Sequence, residues 1–445
     1  AKYIFLFIGD GMGMGQVSLT DSYLSYKAGE LGGQHLSFTH FPYLALCSTY
    51  SANRNITDSA AGGTAIACGA KTNNEYIGVD PDGNNLESIA YALHGQGYNV
   101  GIMTTVPVNH ATPAAFYGHN TSRYGYYEIS REIVDSRFEF LAGSGFYHYK
   151  GSKGDKPGVD IYIEENGYDV CYGPQEFKSR EQGKDIVFIQ ESGRETNPEN
   201  YVSDGSEACD VKLSEMLEMG LEVLGDEKPF FIMCEGGNID WAAHDNKTMT
   251  TVMEIIAFDE AIKEALEFYK EHPDETLIVV TADHETGGVS IGEGKDWRPE
   301  IIDWPMLEKH WFESGEKNVL GYKENREMNK KALIGWTSSH HTAARVPAFA
   351  IGKGAERFHG IIENSDIKGK ILGEYVRTKV VPECDAYVIS KLAGLAATRS
   401  NLVDGTVTKP YEALCKLINE VQSVVGYDEE LVAFVDSYMF AAIQN

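Results

Sequence analysis

The feature of this sequence that most restricts its fold is a repeated alternation of short apolar runs with helical patterns. The first run, Tyr3–Ile8, is continuously apolar and ends at glycines, which is typical of a strand buried on both faces of a sheet. Similar runs follow at Tyr43–Cys47, Val100–Met103, Ile186–Ile189, Phe230–Cys234, Leu277–Thr281 and Val346–Ile351. Helical patterns lie between them, at Leu86–Leu93, Ser206–Leu224 and Thr248–Tyr269. This order predicts a three-layer α/β/α fold with a central, mostly parallel sheet.

Two regions interrupt the alternation. Residues 291 to about 336 are rich in Trp, Gly, Lys and Glu without a clear period, which favours a small insertion or lid. From about residue 381 the pattern is helical only, with amphipathic candidates at Tyr411–Val425 and Glu429–Ile443. We therefore predict a main domain over 1–380 that contains the insertion, and a helical C-terminal segment over 381–445.

The charge balance excludes several classes of partner. The 445-residue chain has 66 acidic and 38 basic residues, a net charge of -28, so its surface should repel nucleic acids and anionic membranes. No apolar run approaches the ~18–20 residues of a membrane-spanning helix. If the substrate is an anion, positive charge must be supplied locally, and bound metal ions could supply it.

A run of small residues from Ile56 to Gly69 predicts a helix that starts at or beside Ser59. The free N–H groups and the dipole at a helix N-terminus favour an anion, so a serine oxygen or a phosphate would be stabilised there. Alone, Thr57-Asp58-Ser59 favours ordinary helix capping, because Asp is a preferred capping residue.

Residues of the types that bind metals or phosphate lie just after the predicted strands or, in the case of His341, just before one. In parallel α/β folds ligands bind beyond the carboxyl ends of the strands, so these residues should meet there. They are Asp10, His110, Thr112, Arg123, Glu235, Asp240, His244, Asp283, His284 and His341. Each has an ordinary structural alternative: Asp10 could be a turn residue, Asp240 and His244 a surface ion pair, and Arg123 a surface charge. Together they provide enough ligands for two zinc-type sites and one oxygen-only, magnesium-type site.

The ordered motifs resemble those of the alkaline phosphatases. The motifs are Gly9-Asp10-Gly11-Met12-Gly13, Thr57-Asp58-Ser59-Ala60-Ala61, His110-Ala111-Thr112-Pro113, His119-Asn120-Thr121-Ser122-Arg123, Glu235-Gly236 through Asp240 to His244, Thr281-Ala282-Asp283-His284 and His341-Thr342. The resemblance runs in order from residue 3 to about 375. It implies an enzyme that hydrolyses phosphate monoesters, expected to work best at alkaline pH, with 1–380 as its catalytic domain and the insertion as a crown or lid.

The resemblance also implies a role for each site residue. Ser59 would be the nucleophile that forms a phosphoserine, Arg123 would bind the phosphoryl oxygens, and Asp58 would orient Arg123. One Zn²⁺ would be bound by Asp240, His244 and His341. A second would be bound by Asp10, Asp283, His284 and Ser59. Asp10, Thr112 and Glu235 would be the protein ligands of one Mg²⁺.

The sequence departs from the best-known bacterial branch of that family beside the third metal. His110 and Trp241 stand where that branch has Asp and Lys. Mg²⁺ is held partly through water molecules that need hydrogen-bond acceptors, and Trp241 offers none. We therefore expect His110 and Trp241 to weaken Mg²⁺ binding, and His110 could recruit Zn²⁺ instead.

Other functions remain open at this stage. A phosphodiesterase or a metal-dependent mutase of the same superfamily would share the two-metal core, and a phosphate-binding protein without turnover is a non-enzyme alternative. A sulfatase is disfavoured, because no Cys-x-Pro-x-Arg or Ser-x-Pro-x-Arg motif stands at residue 59.

The sequence also gives expectations for the cellular location, the partners and the cysteines. The chain starts without Met, so we expect a removed leader and a periplasmic or secreted protein. The partners expected are small phosphate monoesters, and both a homodimer and a monomer remain open. Of seven cysteines, Cys47, Cys68 and Cys234 lie in apolar or small-residue runs and are expected to be buried thiols.

Overall fold

The computed structural model describes residues 1–194, 201, 211–292, 301–313 and 321–374. The chain divides into two units, Ala1–Glu374 and Tyr375–Asn445, and all described residues belong to the first. The helical segment predicted over 381–445 lies outside the described residues, so it stays a prediction.

Fourteen strands are present in the described part of the chain. They are β1 (Tyr3–Gly9), β2 (Tyr43–Ser48), β3 (Asn99–Thr104), β4 (Phe140–Gly143), β5 (Asp169–Tyr172), β6 (Ile186–Ile189), β7 (Phe230–Gly236), β8 (Thr276–Thr281), β9 (Glu285–Thr286), β10 (Val289–Ile291), β11 (Ile334–Trp336), β12 (His341–Thr342), β13 (Val346–Gly352) and β14 (Gly360–Glu363). Ten of them form one sheet in the order β14-β2-β13-β8-β1-β7-β3-β4-β6-β5. Its pairs are parallel except those of β13, which runs antiparallel to β2 and β8. The mostly parallel sheet is confirmed.

The helices of the described residues alternate with these strands. They are α1 (Met14–Lys27), α2 (Ser59–Cys68), α3 (Ile89–His94), α4 (Ala111–Ala114), α5 (Tyr126–Ser136), α6 (Val159–Glu165), α7 (Gly173–Lys178), α8 (Leu213–Leu224), α9 (Asn238–His244), α10 (Thr248–Glu271), α11 (Trp304–Glu313), α12 (Tyr322–Lys331) and α13 (Asp366–Leu372).

Adjacent residues of β7 show that helices cover both faces of the sheet. Phe230 packs against Phe268 of α10, with ring centroids 5.3 Å apart. The next residue, Phe231, packs against Phe116, just beyond α4, at 6.2 Å. Successive strand side chains point to opposite faces, so α10 and α4 lie on opposite sides of the sheet. The three-layer α/β/α architecture is therefore confirmed, and it explains why the central strands are apolar throughout.

The insertion predicted at 291–336 contains regular structure that its composition did not indicate. Strands β10 and β11 pair with each other, and α11 and α12 lie between them in the chain. The buried rings of Trp304 and Trp336 form a second, small core with residues of α1 and α10. Trp336 also donates a hydrogen bond from Nε1 to Thr248 Oγ1 at 2.9 Å. Whether this insertion acts as a crown or lid stays a prediction.

The described cysteines are buried free thiols. These are Cys47, Cys68, Cys171 and Cys234, which confirms the expectation for the three that the sequence singled out. Burial raises the pKa of Cys47 to about 12, so this thiol is unreactive at neutral pH. The remaining three cysteines lie outside the described residues. Within the described ranges, no helix is both long enough and apolar enough to cross a membrane.

Candidate active site

The candidate site lies at the carboxyl ends of the central strands. Asp10 follows β1, Glu235 is the penultimate residue of β7, and Asp283 comes two residues after β8. Because β1 pairs with both β7 and β8 in parallel, these three carboxyl groups emerge at one edge of the sheet. All three residues are completely buried. The register of three strands thus concentrates carboxylates at a place where burial makes uncompensated charge costly.

Ser59 is the first residue of α2 and points into this cluster. Asp58 is the N-cap of the helix, and its Oδ1 accepts a hydrogen bond from the Ala61 amide at 3.0 Å. The Ser59 side chain is therefore not needed to cap the helix. Its Oγ lies 3.2 Å from Nε2 of His284. The helix start predicted from the sequence is confirmed at this residue.

The small residues of α2 allow the helix to sit directly on the site. A Cβ atom at Gly62 would lie 2.9 Å from the backbone oxygen of Asp283, and one at Gly63 would lie 3.2 Å from Cα of Thr112. A larger side chain at Gly62 would therefore push Asp283 and the helix apart. The run of glycine and alanine is explained by this close approach to two other segments of the site.

Arg123 is held in place by Asp58. Its Nη1 donates to Asp58 Oδ2 at 3.0 Å, and its Nη2 lies 3.2 Å from His110 Nε2. Burial alone would lower the pKa of Arg123, but the negative charge of Asp58 and the hydrogen bond to it help to raise it, so the guanidinium stays charged. Helix α4 lies between Asn109 and Arg123, so the chain turns back to the site after this helix.

Asp240, His244 and His341 form the first of three groups of potential metal ligands. Asp240 and His244 are four residues apart on α9, and their Oδ2 and Nε2 atoms are 3.3 Å apart. His341 reaches the same place from β12, with Nε2 3.6 Å from Asp240 Oδ1. The neighbouring His340 is exposed. The i,i+4 spacing read from the sequence thus does place two ligands on one helix face.

The ring nitrogens of the two histidines in this group are arranged to bind a cation. His244 Nδ1 lies 2.7 Å from the Ser339 carbonyl, and His341 Nδ1 lies 2.9 Å from the Thr57 carbonyl. A carbonyl only accepts, so in the neutral rings Nδ1 carries the proton and Nε2 the lone pair. The two Nε2 atoms nevertheless face each other at 3.1 Å. Two lone pairs at that distance repel unless a metal ion or a proton lies between them.

The second group is Asp10, Asp240 and His284, with Asp283 and Ser59 beside it. Nε2 of His284 is 3.3 Å from Asp10 Oδ1 and 3.3 Å from Asp283 Oδ2. Both carboxylate oxygens of Asp10, and Oδ2 of Asp283, are buried without a hydrogen-bond donor. Burial, and then the charges of Asp283, Asp240 and Glu235, raise the pKa of Asp10 well above its usual range. A cation would relieve this repulsion, so the residues fit a metal ion.

The third cluster is made of Glu235, Asp10 and His110, with Thr112 beside it. Thr104 donates a hydrogen bond to Glu235 Oε2, whereas Oε1 of Glu235 and Oγ1 of Thr112 have no partner. Burial is the main cause that raises the pKa of Glu235, to about 8. Three oxygen-bearing side chains with unpaired atoms fit a hard cation such as Mg²⁺.

His110 and Trp241 are in contact beside this third cluster. Their rings meet edge to face with centroids 5.7 Å apart, and Nδ1 of His110 is buried without a partner. Burial, and then the charge of Arg123, lower the pKa of His110 to about 3, so the ring is neutral at physiological pH. His110 thus offers a neutral nitrogen, and not a negative charge, next to the third cluster.

Two threonines in the site were not singled out from the sequence. Thr104 ends β3 opposite Glu235, and Thr286 in β9 contacts both Asp240 and His284. Both are polar residues at strand ends, and this feature of the sequence could have identified them as site residues. All the residues predicted from the strand ends are brought together, including Arg123 and His341 from distant parts of the chain.

Comparison with known proteins decides the family. A family model described as alkaline phosphatase matches residues 1–139 and 195–373, more than half of the chain. The chain belongs to the alkaline phosphatase family. It is similar to alkaline phosphatase 4 of Bacillus subtilis (strain 168), with 31% identity over 412 residues that cover 82% of this chain and 87% of the relative. The human tissue-nonspecific isozyme is 30% identical over 437 residues, covering 82% of each chain.

Solved structures of alkaline phosphatases share the fold. The enzyme of the Antarctic bacterium TAB5 aligns with a TM-score of 0.66 at 30% identity, covering 84% of this chain and 97% of that one. A cold-active alkaline phosphatase from a Shewanella species aligns with a TM-score of 0.70 at 29% identity, covering 83% and 99%. The family resemblance is confirmed, and this chain is an enzyme of the alkaline phosphatase type that hydrolyses phosphate monoesters.

Proposed function

We propose that the chain hydrolyses phosphate monoesters through a covalent phosphoserine at Ser59, with two zinc ions and one magnesium ion as cofactors. The observation that carries this proposal is a set of buried side-chain oxygen atoms in the site that have no hydrogen-bond partner in the protein. Asp10 contributes two such atoms, and Thr112, Glu235 and Asp283 contribute one each. Neutral packing does not account for so many unpaired acceptors at one point, whereas metal ions do.

We propose three metal positions from the residues of these clusters. Asp240, His244 and His341 would hold one Zn²⁺. Asp10, Asp283, His284 and the Ser59 oxygen would hold the second. Asp10, Thr112 and Glu235 would hold Mg²⁺. Ions bound at these positions would lower the pKa of the serine hydroxyl and neutralise negative charge that develops on the phosphoryl group.

The protein's own groups would bind and orient the substrate. Arg123, aligned by Asp58, presents a planar pair of N–H donors that suits two phosphoryl oxygens at once. Ser59 stands at the N-terminus of α2, where the helix dipole favours an attacking oxygen with negative charge. Ser59 would attack phosphorus, the alcohol would leave with a proton, and water would then split the phosphoserine to give inorganic phosphate and Ser59 again. An alkaline pH optimum is expected, because the attacking oxygen must lose its proton.

The third metal position differs from the first two because His110 lies beside its oxygen ligands. A histidine-to-aspartate variant of the TAB5 alkaline phosphatase has Mg bound in the site called M3. In this chain the neutral ring of His110 lies beside Asp10 and Glu235 of the third cluster, where it offers a nitrogen and no negative charge. We expect the native position to bind Mg²⁺ weakly, with Zn²⁺ as a competitor.

The location, the assembly and the domain boundaries stay predictions. We expect a periplasmic or secreted enzyme, which acts on small phosphate monoesters as a homodimer or a monomer. Fractionation of the source cells would test the location, and sedimentation would test the assembly.

One experiment separates this function from the alternatives. The metal content of the purified enzyme is measured first, and hydrolysis of p-nitrophenyl phosphate is then compared with hydrolysis of its bis-ester. We expect two zinc ions per chain and a strong preference for the monoester. A monoester has three free oxygens, two for Arg123 and one for the metal ions, whereas a bis-ester has only two. A preference for the bis-ester would favour the phosphodiesterase alternative. Metal binding without turnover of either compound would favour the phosphate-binding protein.

A further inference from the structure

The hydroxyl of Thr286 lies between a ligand of one proposed zinc site and a ligand of the other. Its Oγ1 is 2.5 Å from Oδ1 of Asp240 and 3.2 Å from Nδ1 of His284. In the proposed assignment Asp240 would bind one Zn²⁺ with His244 and His341, whereas His284, whose Nε2 faces Asp10 and Ser59, would bind the other. Thr286 is completely buried, so bulk water does not compete for these two contacts.

The chemistry of a hydroxyl group fixes the direction of both hydrogen bonds. A threonine has one O–H to donate, and an ionised carboxylate can only accept. Thr286 therefore donates to Asp240 and accepts from the Nδ1–H of His284. That assignment places the lone pair of His284 on Nε2, which is the atom facing Ser59 and Asp10. One hydroxyl thus selects the tautomer of one ligand and orients the carboxylate of another.

The backbone holds Thr286 firmly in this position. Its amide donates to the Gly11 carbonyl at 3.1 Å, and its strand, β9, pairs with β12 so that Thr286 stands opposite His341. Gly11 has φ of 72°, and a Cβ atom there would lie 2.9 Å from Thr286 Oγ1 and 3.0 Å from Asp240 Oδ1. Any side chain at Gly11 would therefore displace the hydroxyl from the carboxylate.

We propose that Thr286 is a positioning residue that links the two zinc sites through a single hydroxyl. The inference rests on the two zinc sites of the proposed function. Without the hydroxyl, Asp240 Oδ1 loses its donor and the ring of His284 loses the acceptor that fixes its tautomer. Both sites should then bind Zn²⁺ less tightly, although Thr286 is not itself among the proposed zinc ligands.

The test compares zinc affinity in three variants. Thr286→Val keeps the shape and removes the hydroxyl, and Thr286→Ser keeps the hydroxyl. Thr281→Val is the matched control, because Thr281 is also buried near the site but donates to the Pro347 carbonyl at 2.9 Å and not to a ligand. Affinities are measured by competition with a chromophoric chelator, and folding is checked by circular dichroism. Thr286→Ala, which is smaller and cannot clash, replaces the valine variant if that variant does not fold.

Loss of partners that orient metal ligands typically weakens metal binding by about 10–100-fold. We expect a loss of this size at both zinc sites in Thr286→Val, and affinities within a few-fold of the parent in Thr286→Ser and Thr281→Val. The absorption spectrum of the Co²⁺-substituted valine variant should differ from that of the parent. Unchanged affinity in Thr286→Val, or a loss at one site only, would overturn the inference while leaving the proposed function intact. A parent enzyme that binds no zinc would instead overturn the proposed function itself.

Discussion

A single carboxylate, that of Asp58, joins the helix that begins at Ser59 to the guanidinium of Arg123. Oδ1 of Asp58 caps α2 through the Ala61 amide, and Oδ2 accepts from Arg123 Nη1 at 3.0 Å and from the Glu75 amide at 3.0 Å. The sequence pattern indicated helix capping near Asp58, and the family resemblance implied that Asp58 orients Arg123. The structure shows that one side chain does both, so the distance from Ser59 to Arg123 is fixed by two hydrogen bonds.

Replacing Arg123 with alanine should weaken inhibition by inorganic phosphate. A charge-assisted bidentate contact contributes on the order of 1.5–3 kcal/mol, so the inhibition constant should rise roughly tenfold or more. Arg194→Ala is the control, because Arg194 is a partly exposed arginine that pairs with Glu176 and Glu191. Inhibition constants measured on the three proteins decide the point, and an unchanged constant in Arg123→Ala would place the arginine outside the phosphate site.

Replacing Ser59 with alanine should abolish the phosphoenzyme while the fold is kept. Asp58 and not Ser59 caps α2, so the alanine variant loses no capping bond. The measurement is acid trapping with labelled phosphate, followed by counting of the label on the protein. Ser136→Ala, which removes a hydroxyl that donates to the Ile133 carbonyl, should trap label like the parent. Label on the Ser59→Ala protein would show that another residue is the nucleophile.

Removing the metals should make the stability of the protein sensitive to pH. In the metal-free protein burial raises the pKa of Glu235 from 4.5 to about 8, and burial likewise raises that of Asp283 to about 7. Above about pH 7 the histidines whose pKa burial lowers, such as His110 and His284, are neutral in both the folded and the unfolded state. From about pH 7 to about pH 8 the folded state therefore binds more protons than the unfolded state, and the free energy of unfolding falls as pH rises. Loaded enzyme should show a much flatter dependence, because bound cations replace the protons.

Urea unfolding at several pH values, with and without a chelator, measures this difference. Glu235→Gln in the metal-free form should show a shallower decline than the parent, because one of the titrating carboxyl groups is gone. A metal-free protein whose stability is constant or increases over this interval would contradict the expectation.

The sequence was sufficient to predict the parts of the molecule that depend on local pattern. The long strands are buried on both faces and are therefore apolar throughout, as at Tyr3–Gly9. The pair Asp240 and His244 was recognisable because helical spacing alone places both on one face. The strands β4, β5 and β14 were missed, because each has only four residues and includes a glycine or a charged residue, whereas the equally short β6 is apolar throughout.

The parts that sequence reasoning missed depend on contacts between distant segments. The role of Thr286 follows from the pairing of β9 with β12 and from the place where α9 begins, and neither can be read from the residues around it. The contact of Arg123 with His110 likewise requires the chain to turn back after α4. In the insertion, α11 and α12 contribute to a shared core with α1 and α10, so their own composition showed no clear helical face.

The last prediction concerns the third metal position, where His110→Asp should strengthen activation by Mg²⁺. The histidine is neutral because burial lowers its pKa to about 3, and Trp241 beside it has a single N–H and no acceptor. An aspartate would add a negative charge and oxygen acceptors for the water molecules around Mg²⁺. The enzyme is stripped of metal, reloaded with Zn²⁺ and titrated with Mg²⁺ while activity is followed.

The concentration of Mg²⁺ that gives half-maximal activation should fall in His110→Asp relative to the parent. His110→Asn serves as the control, since it supplies an oxygen acceptor without charge and separates the two effects. The His110→Asp substitution also removes a neutral partner 3.2 Å from Arg123 Nη2. It places an anion there, so the guanidinium is drawn toward residue 110. Phosphate inhibition measured in parallel reports that side effect. Equal or weaker activation in His110→Asp, with zinc content unchanged, would mean that His110 does not limit Mg²⁺ binding.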